Sequence, residues 1–172
     1  MAGTTRKNIS ATDFYATPSW CVEKLLPLIK WEKIDSFHEP CIGLGDIFEL
    51  IPTKNKTWHE IQMDRDYLLD QDLPQVDLVL TNPPYKYATE FIEQALSHAK
   101  TVIMLCKLDL MGAADRRIFW KNHPPKNMIT MNQRPSFTGD GKSDGCVYAW
   151  YVWGDNSILN DISPFQWISR DN

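Results

Sequence analysis

The run Val76-Asp77-Leu78-Val79-Leu80 passes directly into Thr81-Asn82-Pro83-Pro84-Tyr85. An apolar, β-branched stretch of this kind reads as a buried strand. Two consecutive prolines end it sharply, because each fixes φ and lacks an N–H for a sheet ladder. The segment therefore predicts a stiff polar loop at the carboxyl end of a buried strand. Open α/β sheets hold their ligands there.

The residue types in that loop suit one chemistry. An exocyclic amino group on a nucleobase, or a side-chain amide, is a poor nucleophile because its lone pair is delocalised into the adjoining π-system. The Asn82 side-chain carbonyl and the Pro83 backbone carbonyl can accept hydrogen bonds from the two amino protons and draw the nitrogen toward a tetrahedral geometry. The prolines keep both acceptors preorganised, so no strong base is required. The Tyr85 ring can stack on a planar base, a contact worth ~1–3 kcal/mol per base in single-strand sites. Upstream, Glu39-Pro40-Cys41-Ile42-Gly43-Leu44-Gly45-Asp46 follows a strand candidate at 34–38 and precedes a short helical stretch at 47–51. Gly43 and Gly45 allow a backbone to approach a ligand closely. Asp46 suits a helix N-cap and Glu39 can receive an amino or hydroxyl group. Farther upstream, Asp13-Phe14-Tyr15-Ala16-Thr17-Pro18 leads into a helix candidate at 19–29, with Thr17 as N-cap and Pro18 in the first helical position.

This order of motifs resembles the S-adenosylmethionine-dependent amino-methyltransferases, and among them the DNA adenine-N6 methyltransferases of phage and restriction systems. The resemblance continues through Trp58-His59-Glu60-Ile61, Asp66-Tyr67-Leu68, 102–105, Arg134-Pro135-Ser136-Phe137 with Asp144, and 148–153. It implies a Rossmann-like class I fold, mostly parallel with a C-terminal antiparallel strand, and S-adenosylmethionine as cofactor. Carried across residue by residue, it implies that Tyr15, Thr17, Pro18, Glu39, Pro40, Gly43 and Gly45 surround the cofactor's methionine half. Glu60 would receive the ribose hydroxyls, and Asp66 would meet the cofactor's adenine amino group with Tyr67 beside its ring. Asn82, Pro83, Pro84 and Tyr85 would form the catalytic element, Asn82 also touching the cofactor and Tyr85 stacking on the target base. Asp64 competes with Glu60 for the ribose, because 58–66 offers several acids and no clean strand end.

A chain of 172 residues suits one catalytic domain with a real core. Nothing after residue 153 is large enough for a separate target-recognition domain, so target choice is expected from the loops 112–126 and 137–144, a partner subunit or a homodimer. The apolar runs are too short to span a bilayer and residues 1–10 lack a signal-peptide stretch. Cys21, Cys41, Cys106 and Cys146 form no Cys-x-x-Cys pair and the histidines show no ligand spacing. Free thiols in a reducing cytoplasm, and no metal, are the expectation. A net charge of -4 argues against a nucleic-acid substrate. Against it stands the clustering of Lys107, Arg116, Arg117, Lys121, Lys126, Arg134 and Lys142 in the second half.

Three functions are compatible with these features. The first is methyl transfer to adenine N6 in DNA with low or short sequence specificity. The second keeps the chemistry and moves it to RNA adenine or protein glutamine. The third is a non-catalytic subunit supporting a partner methyltransferase, against which the intact Asn82 and Tyr85 argue. The strand candidates are 34–38, 57–61, 76–81, 101–106, 127–132 and 146–153, and the helix candidates 19–29, 89–99 and 113–121. Their alternation predicts a parallel sheet covered on both faces. The last two strands read as an antiparallel pair. Residues 64–75 are too few for a further helix and strand, so one sheet edge should be abbreviated, and the tail after 154 offers Trp167 as a docking point.

Overall fold

The computed structural model describes residues 16–138 and 142–171. Tyr15, and the loop tip at 139–141, lie outside them. Seven strands form one mixed sheet in the order β2-β1-β3-β4-β6-β5-β7. They are β1 (Ser36–Glu39), β2 (Asn55–Trp58), β3 (Val76–Thr81), β4 (Ala99–Lys107), β5 (Asn127–Met131), β6 (Tyr148–Gly154) and β7 (Phe165–Ile168). β2, β1, β3 and β4 are mutually parallel; β6 inserts antiparallel between β4 and β5, and β7 runs parallel to β5.

The central strands are hydrophobic on both faces because both faces are covered. Leu78, Leu80, Ile103, Leu105, Trp150 and Val152 face one core together with Cys21, Val22 and Leu25 of the N-terminal helical segment. Val79, Val102, Met104, Cys106, Ala149, Tyr151 and Trp153 face the other, against Phe91, Ile92 and Ala95 of α2 (Ala88–His98). Trp150 and Trp153 thus point to opposite sides of β6, as a strand requires. Each indole N–H finds a distant carbonyl: Trp150 Nε1 donates to Cys21 at 3.1 Å and Trp153 Nε1 to His123 at 2.9 Å.

Several boundaries differ from the sequence expectation, each for a local reason. The first helix, α1 (Ser19–Glu23), is five residues long. Pro27 lacks the N–H that would continue it and its ring would meet the carbonyl four residues back, so the chain continues as a 3-10 turn at Leu26–Leu28. The helix expected at 113–121 is likewise split into a 3-10 turn (Ala114–Arg116) and α3 (Arg117–Asn122). β2 ends at Trp58 and not at residue 61, because its partner β1 ends at Glu39, the residue in register with Trp58. The tail supplies a seventh strand that the sequence reading lacked. It is held by Ile158, Leu159 and Ile168, all buried, while Trp167, the expected docking point, is 66% exposed. Residues 64–75 form neither helix nor strand, so the sheet stops at β2 as expected. No helix among the described residues is long and apolar enough to cross a membrane.

Candidate active site

Beyond the carboxyl ends of the paired strands β1 and β3 lies a cavity of about 300 Å³. Strand order reverses direction at this pair, since β2 lies to one side of β1 and β3 to the other. Such a switch point separates the following loops and leaves a crevice. Of the residues named from sequence, Thr17, Glu39, Pro40, Gly43, Glu60, Asp66, Tyr67, Asn82, Pro83, Pro84 and Tyr85 line it; Pro18 and Gly45 do not.

Asn82 is held at both ends of its amide. Its Nδ2 donates to Thr17 Oγ1 at 3.2 Å, and its Oδ1 accepts from the Tyr85 hydroxyl at 2.9 Å. Thr17 was expected to cap α1. Pro18 occupies the cap position instead, with no side-chain capping bond, and the Thr17 hydroxyl is used across the fold to orient Asn82. The Tyr85 ring leans on Tyr148, with centroids 5.8 Å apart, and the Lys107 ammonium lies 5.3 Å over it. Tyr148 in turn donates to Asp144 Oδ2 at 2.8 Å.

Glu39, the last residue of β1, is 1% exposed, and its Oε2 has no hydrogen-bond partner among the described residues. Burial, reinforced by the nearby Asp46 and Glu60 carboxylates, pushes its pKa well above the usual carboxylate range. A buried carboxyl oxygen left without a partner is costly unless a ligand supplies one. Glu60 is also buried, but occupied: Gly43 N donates to its Oε2 at 2.9 Å and Gln62 N to its Oε1 at 3.2 Å. These bonds tie the glycine turn to the tip of β2. Gly43 and Gly45 take left-handed φ values of 52° and 89°, which a Cβ would strain. Asp64, the competitor of Glu60, sits exposed in a left-handed conformation and is not part of the cavity wall. Asp66 lines the wall and accepts from Leu68 N at 3.0 Å.

Behind the wall, Tyr67 is fixed by a set of histidines. Its ring stacks between His38 and Phe91, with centroids 5.6 Å and 5.4 Å away. Its hydroxyl donates to His98 Nε2 at 2.7 Å, and His98 Nδ1 donates to the Pro74 carbonyl at 2.8 Å. His59 Nε2 donates to Asp70 at 2.8 Å, and His59 Nδ1 is hydrogen-bonded to His38 Nε2 at 3.0 Å. The Thr57 hydroxyl completes the chain, hydrogen-bonded to His38 Nδ1 at 2.7 Å. Burial, together with the neighbouring imidazoles, holds His38 down at about 3. Among the described residues no group of His, Cys, Asp and Glu is arranged to hold a metal ion.

Cys41, Ile42, Ile47 and Phe91 also line the cavity without having been singled out from sequence, and Lys107, expected at the active-site edge as one of the second-half cations, lines it too. For Lys107 a signal existed: it ends β4, the parallel neighbour of β3, so it shares the edge with Glu39 and Asn82. Charge is divided along the cavity. Glu39, Asp46, Glu60 and Asp66 lie toward β1 and β2, and Lys86 and Lys107 toward β3 and β4.

No protein-family model matches the sequence, and no curated protein matches it either. Solved structures do match in fold. A provisionally named RNA methyltransferase from Pyrococcus horikoshii superposes with a TM-score of 0.59 at 14% identity, covering 82% of this chain and 86% of that one. A provisionally named class I S-adenosylmethionine-dependent methyltransferase from Listeria monocytogenes gives 0.59 at 14% identity, covering 95% and 68%. A dimethyladenosine transferase from Plasmodium falciparum gives 0.60 at 15% identity, covering 81% of this chain and 62% of that one. The fold is therefore that of the Rossmann-like class I methyltransferases.

Proposed function

We propose that the chain, acting as a single catalytic domain, transfers a methyl group from S-adenosylmethionine to the N6 amino group of adenine in DNA. The observation that carries this reading is an Asn82 amide pinned by Thr17 and Tyr85 on the wall of the cavity that also contains the unpartnered Glu39 oxygen. The wall suits the cofactor. An ammonium group would satisfy Glu39, and an acidic end receives a cationic molecule favourably. When bound, S-adenosylmethionine supplies an electrophilic methyl group on a sulfonium centre.

The chain's own residues then have distinct tasks. Tyr15, Thr17, Pro18, Glu39, Pro40, Gly43 and Gly45 form the methionine end, Pro18 and Gly45 by shaping the backbone behind the wall. Glu60 accepts the ribose hydroxyls on lone pairs left over from its two backbone bonds, since a carboxylate offers about four acceptor sites. Asp66 meets the adenine amino group, and Tyr67, immobilised by the histidines, forms the wall beside the ring. At the other end the target amino group donates to Asn82 Oδ1 in place of the Tyr85 hydroxyl, and to the Pro83 carbonyl. The Tyr85 ring then covers the target base. Thr17 keeps the amide from rotating as this exchange occurs, so the acceptor stays aimed at the nitrogen. Holding both reactants in register supplies most of the rate, and the extra proton on the methylated nitrogen leaves to water. The base must leave the duplex, at a cost of a few kcal/mol.

Incubation with radiolabelled S-adenosylmethionine and separate DNA, RNA and protein acceptors tests the reading. Label in DNA adenine is expected. Label confined to RNA or to protein glutamine transfers the chemistry to the second acceptor class, which the net charge of -4 favours. Cofactor binding without any transfer makes the chain a supporting subunit.

Two further results are expected. Glu60→Ala weakens S-adenosylhomocysteine binding more than Asp64→Ala does, because only Glu60 reaches the cavity; the charge-assisted bonds lost are worth ~1.5–3 kcal/mol each. The reverse order in calorimetry would place the ribose outside this wall. Modified adenines in mixed-sequence DNA should spread over many contexts, because phosphate contacts carry no base information. A sharp motif of about four fixed bases or more, mapped on single molecules, would instead make 112–126 or 137–144 a base-reading element.

A further inference from the structure

A second recess, of about 310 Å³, adjoins the cavity and shares Tyr85, Lys86 and Lys107 with it; Asp109, Leu110 and Arg116 complete its wall. Three cations from three separate elements converge there. Lys86 comes from the 3-10 turn Tyr85–Tyr87, Lys107 from the end of β4, and Arg116 from the turn Ala114–Arg116. Among the described residues, no carboxylate forms an ion pair with any of them; the pairs found involve His59, Lys100 and His123. Asp109 is the one acid in the wall, so the recess keeps a net positive charge.

Two of the cations are held in place. Arg116 Nη1 donates to the Leu110 carbonyl at 3.2 Å, which anchors one edge of the guanidinium and leaves its other N–H groups for a ligand. The Lys107 ammonium sits over the rings of Tyr85 and Tyr148, at 5.3 Å and 5.9 Å from their centroids. Gathering three like charges, two of them (Lys107 and Arg116) on half-buried side chains, is unfavourable by itself, through repulsion and partial loss of hydration. An anion removes both penalties, and a forked guanidinium beside an ammonium matches the tetrahedral oxygens of a phosphate.

We propose that this recess binds a phosphate of the acceptor nucleotide. Tyr85, whose hydroxyl donates to Asn82 Oδ1, lines both the recess and the cavity, so an acceptor whose amino group meets Asn82 would extend its backbone over Lys86, Lys107 and Arg116. The proposal rests on the reading of Asn82 as the target site and adds to it: the acceptor is recognised at two points, base and phosphate, and is a nucleic acid. A glutamine side chain has no anion to place there.

The test uses the full chain, fluorescein-labelled single-stranded DNA and RNA oligonucleotides containing adenine, free adenosine, and the variants Arg116→Gln, Lys86→Gln and Arg116→Lys. Arg116→Gln is expected to weaken oligonucleotide binding about tenfold and to reduce the slope of log affinity against log salt by about one. Lys86→Gln should act in the same direction, and Arg116→Lys should restore part of the loss. Methylation of free adenosine should be unchanged by the two Arg116 variants. Loss on both DNA and RNA supports a site for phosphate as such; loss on one alone supports the site and names its source.

Wild-type affinity and salt slope in both glutamine variants overturn the proposal. So does equal loss for oligonucleotide and adenosine, which would mark a structural role. Calorimetry with S-adenosylhomocysteine separates this proposal from the reading beneath it. Intact cofactor binding with transfer to a glutamine peptide, equal in all variants, ends the phosphate site and leaves methyl transfer standing. Absent cofactor binding with a phosphate-dependent loss in Arg116→Gln does the opposite.

Discussion

Asn82→Ala should lower the rate of methyl transfer by about 10²–10³-fold, the loss typical of removing one preorganised polar group from a transition state, while affinity for S-adenosylhomocysteine stays nearly unchanged. The expectation follows from how the amide is held. Thr17 fixes Nδ2 and the Tyr85 hydroxyl occupies Oδ1, so the group is oriented before any acceptor arrives. Alanine removes the acceptor and leaves the proposed cofactor end, at Glu39 and Glu60, intact. A fall in kcat with unaltered cofactor binding assigns Asn82 to the transferring nitrogen. An equal fall in both would move it to the cofactor and undo that assignment.

Glu39→Gln should drive binding and stability in opposite directions. Burial comes first among the causes that raise the Glu39 pKa, followed by Asp46. A carboxyl whose folded pKa exceeds its unfolded value near 4.5 holds its proton in the folded state. It contributes stability that is fully present below that value and is lost as pH rises through the folded pKa. Glutamine keeps the neutral shape and loses nothing. In the absence of cofactor, the Tm of the variant should therefore exceed that of wild type at neutral pH, by a margin that grows as pH rises above about 4.5. Binding should respond the other way. Loss of a charge-assisted bond of ~1.5–3 kcal/mol weakens S-adenosylhomocysteine roughly 10- to 150-fold. Wild-type binding should also release a proton, read as a dependence of the calorimetric heat on buffer ionisation enthalpy. A variant that binds as tightly as wild type would place the cofactor's ammonium away from Glu39.

The parts of this fold legible in the sequence are those where local pattern and tertiary role coincide. Val76–Thr81 is buried on nearly every side chain, and Pro83 and Pro84 stop it where the cavity begins, so strand, loop and site could be read together. Glu39 was legible from its place directly after a short strand candidate and before a glycine turn. Thr17 was not. A threonine before a proline reads as a cap, whereas its hydroxyl is committed to a residue 65 positions away. β7 escaped notice because Phe165 and Trp167 project outward and only Ile168 is buried, so its alternation carries little hydrophobic contrast. The competition between Glu60 and Asp64 was undecidable locally. The contacts that separate them are long-range: Glu60 lines the cavity and accepts the Gly43 N–H across 17 residues, whereas Asp64 is not part of the wall.

The placement of β6 has a consequence for how the chain is made. β4 is among the most apolar strands of the sheet, with every residue from Thr101 to Cys106 buried, and one entire side of its backbone is satisfied only by β6, through pairs running from Lys107↔Tyr148 to Thr101↔Gly154. The indole of Trp150 also meets the carbonyl of Cys21, 129 residues earlier. Both ends of the polypeptide must therefore be present before its middle can close. During synthesis at about 5–20 residues per second, a nascent chain that has just completed β4 waits seconds for its partner with an open, hydrophobic ladder exposed. Pairings of such long sequence separation are slow to form, and an unpaired apolar edge is a template for association. Chains halted before Gly154 should accordingly accumulate as aggregates, and yield from a cell should depend on how quickly, and how well shielded, the last strands emerge.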